Sequence, residues 1–120
     1  MLTNFQINKE SFMDKFEATK FNFNEWNFVN IVQGSLPQTL EKITGQKISF
    51  LHVDLNAAEL ELECLRILWN QIVDFGVILL DDFANAGYPD SARVIGEFLS
   101  ERKQNVMITP SGQGIVLKIP

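Results

Sequence analysis

The sequence holds one cysteine, Cys64, and one histidine, His52. A single thiol excludes an internal disulfide framework and argues against a cysteine-based metal site. The expected compartment is therefore a reducing cytoplasm. A single imidazole confines histidine acid–base chemistry to one position. Positive charge is scarce: 10 Lys and Arg stand against 15 Asp and Glu, for a net charge of −5. The basic residues are scattered, with only Arg102 and Lys103 adjacent. Such a chain gains nothing from displacing phosphate counterions, so nucleic acid is not an expected partner. No apolar run approaches the roughly 18 residues that suggest a membrane span. The opening residues also lack the basic start and apolar core of a signal peptide. Neither a membrane nor a secretory route is expected. Glycine-rich loops are missing too: the one Gly-x-Gly, Gly112-Gln113-Gly114, lies between two strand-like segments. A mononucleotide or dinucleotide loop joins a strand to a helix, so this is not one.

What is present suits one soluble domain of 120 residues, 46% hydrophobic and 21% charged. Aromatics crowd the start: Phe5, Phe12, Phe16, Phe21, Phe23, Trp26 and Phe28 precede position 29. Phe12 and Phe16 stand one helical turn apart, and Asn8 suits an N-cap, so the spacing predicts a helix over 9–20. A loop over 22–27 and a short strand over 27–32 follow. Ser35 and Gln38 read as a capping box for a short helix that Gly45 ends. Residues 47–54 form a second apolar strand. Asn56 and Glu59 form another capping box, opening a helix whose Leu60, Cys64, Leu65, Leu68, Ile72 and Val73 share one face. Gly76 reads as its C′ residue. The continuous apolar run 77–80 then reads as a parallel strand covered on both faces. A helix over 90–103 presents Ala92, Ile95, Phe98 and Leu99. Strands over 106–109 and 115–119 close the chain as a hairpin. Strand–helix alternation gives an α/β fold, a mostly parallel sheet with a C-terminal antiparallel hairpin.

In such sheets ligands sit beyond the C-terminal strand ends. One predicted strand ends His52-Val53-Asp54 and the next ends Leu80-Asp81-Asp82. Parallel neighbours bring both ends to one edge, and alternation puts His52 and Asp54 on the same side. An oxygen-rich group of this kind suits Mg²⁺ or another divalent metal such as Mn²⁺. The bland alternative is that these Asp residues cap helices and solvate strand ends, and that His52 is a hydrogen-bonded structural residue. Cys64, on an apolar helix face, reads as core.

Several segments, taken in order, resemble the macrocin O-methyltransferase type of class I S-adenosylmethionine-dependent methyltransferases. They are Ile31 to Leu40 (Ile-Val-Gln-Gly-Ser-Leu-Pro-Gln-Thr-Leu), Phe50-Leu51-His52-Val53-Asp54-Leu55-Asn56, Leu68-Trp69, Gly76-Val77-Ile78-Leu79-Leu80-Asp81-Asp82-Phe83, Gly87-Tyr88 and Thr109-Pro110-Ser111-Gly112-Gln113-Gly114 with Lys118. The resemblance covers about residues 27–120 and implies a partial, Rossmann-like fold: a single truncated domain without the first strand and its glycine-rich loop. It further implies S-adenosylmethionine as cofactor, with Gly34 and Ser35 near the adenine. Asp54, Asp81 and Asp82 match the divalent-metal positions, and Asp54 or His52 would take the proton from a small-molecule hydroxyl acceptor. The family's Asp-x-Asp-x-Tyr departs here: Asn56 and Ala58 replace the second Asp and the Tyr.

Two functional readings follow. The chain is the C-terminal portion of a metal-assisted O-methyltransferase, inactive or weak alone unless a missing N-terminal half completes it, with a homo-oligomer or a complementing N-terminal chain as the expected association. Alternatively it is a non-catalytic remnant or interaction module of that fold. A receiver-type signalling domain fits less well, because its acidic pair follows the first strand and its lysine follows a parallel strand, whereas Lys118 lies in the hairpin.

Overall fold

The computed structural model describes residues 15–87 and 89–120. Met1–Ser35 and Leu36–Pro120 are two compact units. In the first unit the chain is helical over 15–22 (α1), where the Thr19 hydroxyl donates to the Lys15 carbonyl at 2.7 Å. The start of the predicted helix, with Asn8 and Phe12, lies outside the described residues. Turns follow, and the Phe23 and Trp26 rings meet at 5.8 Å. The strand predicted over 27–32 is not formed: among the described residues this segment pairs with no strand. The Val29 N–H instead closes a turn onto Trp26 O at 3.2 Å. Alternating apolar side chains make a strand only where a partner supplies a ladder.

The second unit opens with a 3-10 helix, Gln38–Ile43. Its N-cap position is Pro37, with no side-chain cap hydrogen bond. The predicted Ser35 capping box is therefore absent, since Ser35 stands two residues before the cap position. Strand β1 (Ile48–Val53), helix α2 (Ala58–Leu68), strand β2 (Ile72–Leu80), helix α3 (Pro89–Glu101) and strands β3 (Met107–Ile108) and β4 (Gly114–Leu117) follow. The sheet order is β1-β2-β4-β3. β1 and β2 are parallel; β4 runs antiparallel to both β2 and β3. Three of the four strands thus point one way, and the hairpin lies on the far side of β2 from β1. This is the α/β arrangement the sequence predicts.

Two details differ from the sequence reading. Helix α2 starts at Ala58 with Ala57 as N-cap, because Asn56 takes φ 56. That left-handed conformation, which asparagine tolerates, does not belong to an N-cap. The buried Glu61 reaches back from the helix instead, accepting the Leu55 N–H at 3.2 Å. The second difference is at the end of α2. The helix tightens into a 3-10 turn over Trp69–Gln71 and passes directly into β2, so Ile72, Val73 and Gly76 are strand residues, not helix face and cap. The β1–β2 register jumps from Ile48↔Ile72 to Phe50↔Val77. Gly76 sits inside this irregularity, where a Cβ would stand 2.9 Å from Val73 O and 3.3 Å from Ile48 O. Its role is close backbone approach within the sheet.

The core lies between one sheet face and the two helices. Val53, Ile78, Leu80 and Val116 from the strands meet Leu62 and Leu65 of α2 and Ile95, Phe98 and Leu99 of α3. Along β2, Ile78 and Leu80 are buried while Val77 and Leu79 are only partly so. The run 77–80 is thus covered fully on one face, not on both. Among the described residues no helix is long and apolar enough to cross a membrane.

Candidate functional site

β1 and β2 deliver their C-terminal ends to the same edge, with Val53 level with Leu80. The Asp81 N–H extends the ladder by one bond, donating to Val53 O at 3.0 Å. His52 pairs with Leu79 across the ladder, so alternation puts His52 and Asp81 on the face away from the helices. His52 Nε2 lies 3.5 Å from Asp81 Oδ1. One ligand atom from each of His52, Asp54 and Asp81 falls within 4.8 Å of the others. The structure therefore brings together two of the three carboxylates expected from the sequence, joined by the histidine expected as a base. Asp82 lies outside the group; its Oδ1 accepts from Asn85 Nδ2 at 3.3 Å. Asp81 and Asp82 both stand in the turn after Leu80, which carries Asp81 to His52.

Two carboxylate oxygens and an imidazole nitrogen form a mixed donor set that suits Mn²⁺ and related divalent ions. All three side chains keep access to solvent, leaving room for waters in the coordination sphere. Gly34 and Ser35 belong to the first unit, where Gly34 takes φ 139. Among the described residues the second unit places no glycine loop at its strand ends comparable to a nucleotide loop: Gly112-Gln113-Gly114 joins β3 to β4.

Two further residues shape the site. Gln113 Nε2 donates to Asp81 Oδ1 at 3.0 Å. This bond, with a smaller contribution from His52, holds the Asp81 carboxyl below the usual carboxylate range. Glu61, under α2, is pushed the other way. Burial raises its pKa, and the Asp82 and Asp54 charges add to the effect, against the lowering by the Leu55 and Asn56 N–H groups. The sequence contained a signal for Gln113: β4 runs antiparallel to β2, so the β3–β4 loop must arrive at the edge where β1 and β2 end. Glu61 had no comparable signal, because a charged residue in an acidic helix reads as solvated.

On the helix side of this edge a groove of about 210 Å³ is lined by Asn56, Ala58, Gly87, Pro89, Asp90 and Ser91. It lies between the starts of α2 and α3.

No protein-family profile matches the chain, and no curated protein sequence matches it. Its backbone is similar to that of two methyltransferases of known structure. The O-methyltransferase NovP is 14% identical with a TM-score of 0.72, over 87% of this chain and 45% of that one. CalS11, a TDP-rhamnose 3′-O-methyltransferase of calicheamicin biosynthesis, is 14% identical with a TM-score of 0.63, over 92% of this chain and 50% of that one. The chain spans about half the length of the structures it matches, and its fold corresponds to part of theirs.

Proposed function

We propose that the chain is the C-terminal portion of an S-adenosylmethionine-dependent, metal-assisted O-methyltransferase of the macrocin type, with a small-molecule hydroxyl as acceptor. The observation that carries this reading is the convergence of His52, Asp54 and Asp81 at the strand ends of a methyltransferase-like sheet. His52, Asp54 and Asp81 would hold a divalent cation, which when bound lowers the pKa of an acceptor hydroxyl. Asp81 stays ionised, because Gln113 and His52 stabilise its charge. The hydroxyl proton goes to Asp54, at the carboxylate oxygen not used for the ion, or to a His52 ring nitrogen where His52 is not itself a ligand. S-adenosylmethionine supplies the electrophilic methyl group. Of the residues that would hold it, this chain offers Gly34 and Ser35. The residues that cradle its methionine end, next to a helix N-terminus, would come from a complementing N-terminal half.

The test is calorimetric titration of the chain with Mn²⁺ and with S-adenosylmethionine, each with and without the other. The expected result is Mn²⁺ binding that Asp54→Asn and Asp81→Asn abolish and Asp82→Asn leaves in place. Cofactor binding is expected to be weaker than about 1 mM, or about 4 kcal/mol. Micromolar cofactor binding would contradict the half-site reading. Absence of Mn²⁺ binding would leave a non-catalytic remnant of the fold.

A further inference from the structure

We infer that Gln113 is a positioning residue for the strand-end site, fixing which oxygen of Asp81 is presented outward. The inference rests on the cation-site reading above. Gln113 comes from the β3–β4 loop and reaches 32 positions along the chain to Asp81, at 3.0 Å. Its backbone is held from both directions by one residue. Thr109 N–H donates to Gln113 O at 2.9 Å, and Gln113 N–H donates to Thr109 Oγ1 at 3.0 Å. Thr109 Oγ1 also shares a hydrogen bond with Ser111 Oγ at 3.0 Å. The loop is tied to the Asp81–Asp82 turn itself, where Ala84 N–H donates to Gly112 O at 2.8 Å. The next residue, Gly114, pairs with Leu80. A Cβ at Gly114 would stand 2.9 Å from Phe83 Cβ, so the loop lies as close to that turn as a backbone can.

The hairpin is therefore anchored by main-chain and threonine bonds that do not involve the Gln113 amide. Among the described residues that amide donates to Asp81 Oδ1 alone. The same oxygen faces His52 Nε2 at 3.5 Å. With Oδ1 engaged by the Gln113 amide, Oδ2 is the oxygen left to face a cation. A carboxylate so oriented loses less freedom when it binds, which is how groups behind the ligands strengthen metal sites.

The experiment measures Mn²⁺ affinity by electron paramagnetic resonance on the full 120-residue chain, alongside metal-free thermal melting. Gln113→Met keeps the reach and removes the donor; Gln113→Ala is a second variant in case the first packs badly. The expected result is an affinity loss of about tenfold or more in each variant, in the range typical for groups behind metal ligands, with melting unchanged. Equal affinity in wild type and variants would overturn the positioning role while leaving the cation site standing. A drop in melting that accompanies the affinity loss in both variants would also overturn it, making Gln113 structural. If wild type binds no Mn²⁺, the cation-site reading fails and the role of Gln113 falls with it.

Discussion

Glu61 is a single side chain whose titration should be readable in folding stability. It is 3% exposed, and burial raises its pKa. A carboxyl whose folded-state pKa lies above its unfolded value favours folding at pH below the unfolded value. That contribution is lost as pH rises through the folded value. The chain should therefore lose stability from acid toward neutral pH on account of Glu61. Glu61→Gln keeps an oxygen for the Leu55 N–H and removes the titration. Urea midpoints at acid and neutral pH should converge in the variant, with the gain at neutral pH; parallel profiles would show that Glu61 is not the source. Lys118 makes a different contribution. Its ammonium donates to Trp69 O at 2.9 Å and Ile72 O at 2.6 Å and lies 4.8 Å from the Trp69 ring centroid. These carbonyls mark the point where α2 turns into β2. Lys118→Met would leave them without that donor and should cost about 1–3 kcal/mol, read as a lower denaturation midpoint. The family resemblance singled out Lys118, but only the geometry gives it this structural task.

Among the elements, the strands of the second unit and α3 were legible, because apolar runs bounded by turn residues mark them. The ends of α2 were not. Asn56-Ala57-Ala58-Glu59 satisfies a capping pattern, but a left-handed Asn56 shifts the N-cap by one residue, to Ala57. At the other end, helix periodicity continued on paper through Ile72 and Val73, whereas the chain had already become extended. Sequence spacing cannot register a change of backbone state at a point where the chain enters a ladder with distant β1. Gly76 allows the two readings to be tested against each other. As a helix C′ residue it would tolerate asparagine. Within β2, with a Cβ 2.9 Å from Val73 O, any side chain forces a backbone shift. Gly76→Asn and Gly76→Ala should both destabilise the chain by about 1–3 kcal/mol, the cost typical of overpacking. A neutral Gly76→Asn would restore the capping reading. The strand ends divide in the same way. Two parallel strands ending in His52-Val53-Asp54 and Leu80-Asp81 told where the group would form. Which of Asp81 and Asp82 would join it depended on the turn after Leu80, and Gln113 entered only through the hairpin's direction.

At the scale of the whole sheet, the register writes out a surface that the helices of the second unit do not cover. Phe50, Val77 and Leu117 lie in one row across the strands, and His52, Leu79, Ile115 and Met107 in the next. Both helices pack on the opposite face. Phe50 is 59% exposed, Leu117 50% and Met107 66%, so most of this apolar area remains in contact with water. Sheets with parallel strands ordinarily bury both faces, and β1 adds an edge, since among the described residues its one strand neighbour is β2. The size of the face decides how strongly it can associate. Four strands about 4.8 Å apart and two rows about 7 Å apart span roughly 250 Å². A stable interface takes about 800 Å² per partner. Contact through the face alone should give weak, concentration-dependent self-association, not a permanent dimer. Sedimentation velocity over a wide concentration range should show a rising average mass for the wild type. Phe50→Lys with Leu117→Lys, which charges both ends of the first row, should flatten that rise without lowering the melting temperature, because neither side chain belongs to the core. A wild type that sediments as a single monomeric species at the highest concentration would remove the face as an association surface.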